Sequence, residues 1–562
     1  MGFSLWRIFA FPVDFPFWDM IVVERFIEDG FALGWTLPRI AATKLNEHRP
    51  VFPMLLWIAD HAWFASRGIA VLAFDDVLLG ATSVLLMRWM RNATAPGFRR
   101  VALTLAVPVV LFWPAQGQNL IWAVQANSVL SLAALLLALQ TLLLAVGASA
   151  DRRGRGRCLA WLAGTIALLF VSTYSLAYGL LGWPLCLGYL LLRRQPWWMI
   201  ATFAVAGLAV VGPYAWFWVD VPHHAHALTS LRQPLPVAGY LFELLGSPAH
   251  KLIEWPFFRS RTALRGVAGA ALFAATTAAA LQLALRIRAA GGARETDPST
   301  PLVLLALLGL GCAFVIALGR HNFGGAQSLE SRYTIIPCLV WLGTAGYWIP
   351  RLLGTRRFAL LGYAVTTALL VAMTASYVGH AANSREFAAR ARIAAMTEVT
   401  GVAHPQSSPR LYKDTASRQW LFDSLRRRGH PFFAEPWLAW IGRKAADVLG
   451  PPVADRCEGR VDKTSRLEEA IAQLQGWAWD PVAGAPPPLI VVVDEAGVVR
   501  GVGATGIERI EVARYFGRLA MLNSGWLAAA RTPDAQLEVL AVTSDGSACR
   551  LGAASRPPGS SG

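Results

Sequence analysis

Residues 121–146 read IWAVQANSVLSLAALLLALQTLLLAV, and no charged side chain interrupts them. A helix needs about 20 apolar residues to cross the hydrocarbon core of a bilayer, where the absence of water forces every backbone polar group to bond within the helix. This stretch meets that requirement, and so does FALLGYAVTTALLVAMTASYV at 358–378. Both lie too far into the chain to be signal peptides. Composition agrees: 55% of the 562 residues are hydrophobic and 15% are charged, against about 25% charged in ordinary soluble domains.

Working outward, window hydropathy predicts spans at 69–91, 101–116, 121–146, 158–173, 176–192, 197–219, 263–287, 301–319, 333–349 and 358–378. The formal charge of +16 would suit a nucleic-acid partner, but the arginines sit in short loops between apolar blocks, not on an amphipathic or aromatic-interleaved surface. Arg88, Arg91, Arg99 and Arg100 share one such loop, and Arg152, Arg153, Arg155 and Arg157 another. Arg193 and Arg194, then Arg286, Arg288 and Arg294, then Arg351, Arg356 and Arg357 follow in alternate loops. Positive charge marks the cytoplasmic side. The other parity, expected outside, comprises residues 1–68, the turns at 116–119 and 173–175, the loops 220–262 and 319–332, and everything after about 380. Tryptophans near span ends, such as Trp113, Trp122, Trp197, Trp198, Trp216 and Trp218, fit interfacial belts or ordinary packing.

The expected fold is therefore an all-α polytopic membrane protein of about ten to eleven transmembrane helices, with a C-terminal extracytoplasmic domain, part helical and part β-sandwich. Parity also predicts a span ahead of the first loop, because residues 1–12 would reach only roughly 18 Å as a helix against a ~30 Å core. Residues 51–66, VFPMLLWIADHAWFAS, are broken by Pro53 and Asp60 and are expected to lie in the interface or to re-enter. The chain divides into an outer loop with interfacial helices (1–68), a transmembrane domain (69–380), an outer helical segment (381–452), a small β-sandwich (453–552) and a disordered tail (553–562). Within it, 385–397 and 415–449 read as helical before Pro451 and Pro452 break the pattern. PLIVVVDEAGVVRGVGA and QLEVLAVTSDGSACRL each read as two strands about a polar turn.

Six cysteines show no paired CxxC spacing, and Cys158, Cys186, Cys312 and Cys338 lie in or beside apolar spans, where thiols pack as small hydrophobes. No metal site is expected. His223, His224 and His226 make a His-x-His cluster that a solvated loop explains as well. Cys457 and Cys549 bracket the β module in an oxidising compartment, so an end-to-end disulfide is expected, with two free thiols as the alternative.

Candidate chemistry concentrates on the outer side. FPVDFPFWDMIVVERFIEDG and NEHRP place Asp14, Asp19, Glu24, Glu28, Asp29, Glu47, His48 and Arg49 at the membrane surface. Glu28 and Asp29 read as solvated charges, whereas Asp14 and Asp19 sit among Phe11, Pro12, Phe15, Phe17 and Trp18, where low polarity would perturb a carboxylate and suit it to base work. Asp75 and Asp76 fall inside the span that starts at Ile69, where charge is costly, so they face a polar helix contact or a substrate pocket.

PVDFPFWDM and NEHRPVFP, with QNLIWAVQ and SRY further on, resemble the GT-C superfamily of membrane glycosyltransferases, which use polyprenyl-phosphate-linked sugars. The resemblance spans about residues 10–380. It implies an acidic residue opening the first outer loop, interfacial helices, and a His/Pro-rich stretch after them. Displacing a polyprenyl phosphate needs a base for the acceptor and cations for the leaving phosphate. Asp19 is taken as the base with Asp14 as alternate, and Arg49 and Arg332 as phosphate partners. Arg332 would equally serve as a span-end anchor beside Tyr333. Glu47, His48, Tyr333, Asp75 and Asp76 complete the substrate-binding candidates. In the β module LQGWAWDP and NSGW resemble a sandwich segment appended to some bacterial glycosyltransferase-like proteins; Trp477, Trp479 and Trp526 would stack on sugars there or form its core.

The function expected is inverting, metal-independent and cofactor-free transfer of a sugar from a polyprenyl-phosphate donor to a lipid, glycan or protein, at the outer face of a bacterial cytoplasmic membrane. The rivals are a transporter or flippase for a lipid-linked glycan, which would use Asp75 and Asp76, and a non-catalytic membrane protein whose β module binds glycans.

Overall fold

The computed structural model describes residues 13–149, 154–218, 221, 225, 227–253, 262–290, 297–352, 359–402, 408, 411–454, 456–468, 471–531 and 536–554. Residues 1–12, the three loop histidines His223, His224 and His226, and the end of the tail lie outside that set. The chain forms two compact units, and the division does not follow chain order. One contains Gly34–Trp57 and Val71–Gly379; the other gathers Arg7–Leu33, Ile58–Ala70 and His380–Gly562.

The first unit is a helical bundle. Among the described residues seven helices are long and apolar enough to cross a membrane: Ile69–Ala93, Phe98–Ile121, Ala123–Ser149, Arg155–Thr173, Trp197–Trp216, Leu264–Ala289 and Thr300–Phe323. The expected count of about ten to eleven is not reached by this measure. The span expected at 176–192 is a helix of 14 residues, Gly179–Leu192, with Pro184 inside it. The one expected at 333–349 is Ile335–Leu352, whose last turn carries Pro350 and Arg351. The third, 358–378, belongs to a helix of 41 residues, Ala359–Val399, which also takes in the helix expected separately at 385–397.

Small and hydroxylated residues let these helices approach. Ser131 and Ser172 meet at 2.8 Å and Thr141 and Thr165 at 2.9 Å, so the two helices exchange hydrogen bonds where lipid offers none. A Cβ on Gly343 would stand 2.4 Å from the Leu302 carbonyl; only glycine permits that contact. The segment 51–66 forms an unbroken helix, Val51–Phe64. Pro53 sits in its first turn, where the missing N–H has no intrahelical partner to lose, and Asp60 is buried, not a break.

The second unit carries the helices Asp19–Leu33 and Thr415–Arg427 and a C-terminal sheet. Seven antiparallel strands are arranged β1-β2-β5-β4-β3-β6-β7: β1 Glu458–Glu468, β2 Ile471–Trp479, β3 Leu489–Val493, β4 Val499–Ile507, β5 Gly525–Arg531, β6 Leu537–Val542 and β7 Ala548–Ala554. The two hairpins read from the sequence are β3–β4 and β6–β7. In place of a two-sheet sandwich there is one sheet rolled about a single core. Alternate residues Leu474, Ile490, Val492, Trp526, Val539 and Leu551 from five strands pack into that core. The two end strands come together, since a Cβ on Gly459 in β1 would meet Leu551 of β7 at 2.8 Å. Cys457 and Cys549 are disulfide-bonded there, with Cα atoms 5.9 Å apart. The outer face of β3, β4 and β6 is covered by Trp440, Ile441, Ala445 and Leu449.

Candidate functional site

A buried charged grouping in the second unit is assembled from three stretches of chain. The helix Asp19–Leu33 buries Met20, Ile21, Val23, Glu24 and Ile27 on one face, so a carboxylate rides on an apolar stripe and must find cations. His61 and Arg428 supply them. Glu24 Oε2 lies 2.9 Å from His61 Nδ1 and 3.3 Å from Arg428 Nη2. Arg428 Nη1 also approaches His61 Nδ1 at 2.9 Å. One imidazole nitrogen cannot donate to the carboxylate and accept from the guanidinium together; a proton on Nδ1 serves Glu24, and Arg428 Nη1 then donates to Ser66 Oγ at 3.1 Å. Glu28, read from sequence as a solvated charge, instead accepts from Ser424 Oγ and pairs with Arg428 Nε at 3.3 Å.

Past the end of Val51–Phe64 the chain turns through Ala65, Ser66 and Gly68 with φ of +56°, +60° and +70°. Two consecutive non-glycine residues in the left-handed region cost of order 1–3 kcal/mol each, and persist only where the surroundings fix them. The Asp60 carboxylate does so by accepting the Gly68 N–H at 2.8 Å, and its backbone carbonyl accepts Ser66 N–H at 3.2 Å. The turn presents Arg67 to Asp14, Nη2 to Oδ2 at 3.8 Å. Burial pushes the Asp60 carboxyl up to about 6, helped by the charge of Glu24 and resisted by the Gly68 N–H.

His430 adjoins this pair. It is buried, its Nδ1 accepts the Phe432 N–H at 3.2 Å, and so its proton sits on Nε2. Burial brings its pKa down to about 4 although Asp14, the strongest charge acting on it, pulls the other way. At neutral pH it is an uncharged donor. Asp19 opens the helix Asp19–Leu33, where a negative side chain complements the helix dipole, and its charge is felt by Tyr412. Asp14 and Asp19 thus have different surroundings five residues apart: cationic and histidyl for the first, tyrosyl for the second.

In the first unit the two sequence features QNLIWAVQ and SRY meet. Gln118 Nε2 donates to Glu330 at 3.2 Å, its N–H to Ser331 Oγ at 3.2 Å, and its Oε1 accepts the Arg332 N–H at 3.2 Å. Asn119 donates to the Arg332 carbonyl at 3.0 Å. The Arg332 guanidinium lies over the Tyr333 ring, 5.2 Å from its centroid. Tyr178, Tyr240 and Tyr333 share the surroundings of Arg320 and Arg332. Buried Lys251 donates to the Ala115 carbonyl at 3.2 Å and to Thr334 Oγ1 at 2.5 Å.

Arg49 is 8% exposed and its guanidinium donates to the backbone carbonyls of Ala41 and Phe217 while lying over the Tyr214 and Phe217 rings. Those contacts occupy it as a structural clamp on its own unit. Glu47 and His48 pair at 3.6 Å, and the Glu47 carbonyl accepts from Tyr214 OH at 3.1 Å. Asp75 and Asp76 are both buried in Ile69–Ala93, and neither oxygen of Asp75 has a hydrogen-bond partner among the described residues. Trp479 and Trp526 are core residues of the β module, so their ring faces are closed to a sugar. Trp477 is half-buried, its ring 5.4 Å from Phe516.

Sequence reasoning missed His61, Arg67, Asp60 as a carboxylate with a role, Arg428 and His430. One signal was present, Glu24 at the buried phase of a helix. Arg428 lay hidden in the run RRRG at 426–429, which looks like a solvated face.

No family model and no curated protein matches the chain. Among solved structures, apo ArnT from Cupriavidus metallidurans is similar over 62% of this chain and 75% of its own, at 15% identity and a TM-score of 0.27. A likeness that slight carries no argument about activity.

Proposed function

We propose that this chain is a membrane glycosyltransferase of the GT-C type, moving a sugar from a polyprenyl-phosphate donor to a lipid, glycan or protein acceptor at the outer face of a bacterial cytoplasmic membrane. The observation that carries the reading is the Asp14 carboxylate held 3.8 Å from Arg67 and next to a neutral, buried histidine, in a chain with seven apolar helices of spanning length among its described residues. A base beside a fixed cation is what the reaction requires. The carboxylate takes the acceptor hydroxyl's proton, that oxygen attacks the anomeric carbon with inversion, and the phosphate departs with the bonding pair. These surroundings move the assignment of the base toward Asp14, with Asp19 as alternate, the reverse of the order the sequence suggested. Arg67 is the cation beside that carboxylate, and Arg49, taken from the sequence as a phosphate partner, is committed to carbonyl groups.

Transport of a lipid-linked glycan is the second reading, favoured by one observation, the buried carboxyl of Asp75, which has no hydrogen-bond partner among the described residues and lies in an apolar helix. Transfer from a synthetic polyprenyl-phosphate hexose to membrane acceptors separates the two. Asp14→Asn should lower turnover by roughly 10²–10⁴-fold, the range for loss of a general base, and Asp19→Asn much less. Full activity in both variants would sink the enzyme reading, and loss confined to Asp19→Asn would restore the original order.

A further inference from the structure

The helices Asp19–Leu33 and Val51–Phe64 end on the same kind of tip. Each closes with three consecutive exposed, uncharged residues, Phe31-Ala32-Leu33 in one and Ala62-Trp63-Phe64 in the other. Phe31, Leu33, Trp63 and Phe64 are 50%, 71%, 78% and 51% exposed. The tips lie side by side, because the Phe31 ring stacks on the His61 imidazole with centroids 5.1 Å apart. The ionisable groups just behind them turn inward: Asp60 is buried, and His61 bonds to Glu24.

Large apolar side chains gathered at one place on a surface mark a docking site, where singly scattered ones would not. Chain connectivity says what covers these. Phe64 lies five residues ahead of Ile69, the start of a helix long and apolar enough to span, and five residues reach at most about 18 Å. The turn between them is drawn in further, since the Arg67 N–H donates to the Phe64 carbonyl at 3.2 Å. The bilayer is therefore the apolar phase within reach. Aromatic side chains at a helix end with an arginine behind them also have the composition of an interfacial anchor. Depth is limited from behind, because His61 and its charged partners Glu24 and Arg428 begin within one helical turn of Trp63, about 5 Å, and charge is costly in hydrocarbon. We propose that Phe31, Leu33, Trp63 and Phe64 form one lipid-docking surface that seats this unit in the interfacial layer of the bilayer, with Arg67 and its partner Asp14 at headgroup level. Of the two placements open to 51–66, this is the interfacial one, and it takes in the end of a second helix. It holds whether the chain transfers a sugar or transports one.

The test is nitroxide labelling of single cysteines in the full chain, reconstituted in nanodiscs of phosphatidylethanolamine and phosphatidylglycerol. The four free native cysteines are buried and the other two are bonded to each other, so Leu33→Cys and Trp63→Cys each take the label at the introduced thiol. Val205→Cys, 67% exposed in the apolar helix Trp197–Trp216, is the lipid reference, and Val482→Cys, 73% exposed in a turn of the β module, is the water reference. Power-saturation EPR compares collisions with oxygen, which concentrates in lipid, and with a nickel chelate, which stays in water. Labels on both tips should favour oxygen over the chelate several-fold more than the water reference does, on the side of the lipid reference. The inference is overturned if the chelate dominates at either tip. It is equally overturned if both reagents are excluded, since a protein surface such as a second copy of this chain would then cover the tips.

Discussion

Glu24 and Asp75 are equally inaccessible carboxylates, at 1% and 2% exposure, in opposite circumstances. Glu24 has an imidazole and a guanidinium within 3.3 Å, each tied in turn to Ser66. Asp75 has no hydrogen-bond partner among the described residues and has a second acidic residue, Asp76, as its neighbour in sequence. Burial alone therefore says little about what a carboxylate does. A compensated charge holds three chain segments in register, whereas a buried carboxyl with no partner among the described residues is retained in an apolar helix against its cost, and that is the pattern of a group waiting for an ion or a polar ligand.

The contrast makes opposite forecasts for stability. Glu24→Ala leaves Arg428 and His61 without their acid and should lower the unfolding free energy by about 3–5 kcal/mol, the usual result of breaking a buried pair. Asp75→Leu removes a buried carboxyl that has no hydrogen-bond partner among the described residues and should be neutral or stabilising by up to about 4 kcal/mol. Chemical denaturation in detergent reads both; a destabilised Asp75→Leu would show that this carboxylate has a partner of its own and dissolve the comparison.

A finer test uses pH. Asp60 titrates in the folded chain near 6, above an unfolded value of roughly 4, so the folded state holds the extra proton between those values and gains stability as pH falls through that window. His430 titrates near 4, below an unfolded value of roughly 6.5, so the unfolded state holds the extra proton and stability is lost over nearly the same window. Each swing is of order 3 kcal/mol, and they oppose. The native chain should be nearly level from pH 6 to pH 4, Asp60→Asn should lose stability on acidification, and His430→Gln should gain it. Melting temperatures across that range decide; parallel profiles for the three would mean that the two groups are not buried as described.

The apolar spans were legible because their physics is local: twenty or so uncharged residues can satisfy their backbone only as a helix. The β3–β4 and β6–β7 hairpins were legible for a similar reason, since turn residues such as Ser544-Asp545-Gly546 lie between the strands they join. The charged cluster was not, because Glu24, His61 and Arg428 are brought together over separations of 37 and 367 residues. No spacing rule reaches that far. The rolled sheet escaped likewise: the strands could be read, but whether seven of them stack as two layers or curl into one depends on which edges meet, and that is set by β1 and β7, the farthest apart in the sequence.

The disulfide between those ends gives the module a direction in time. Cys549 lies in β7, the last strand to leave the ribosome, and Cys457 just ahead of the first. Every shorter nascent chain presents β6 as an open edge able to pair with a stranger, and carries a lone thiol at Cys457 that no oxidant can yet join to its proper mate. The bond therefore acts as a completion mark. A thiol-reactive tag applied during synthesis would sort unfinished molecules from finished ones.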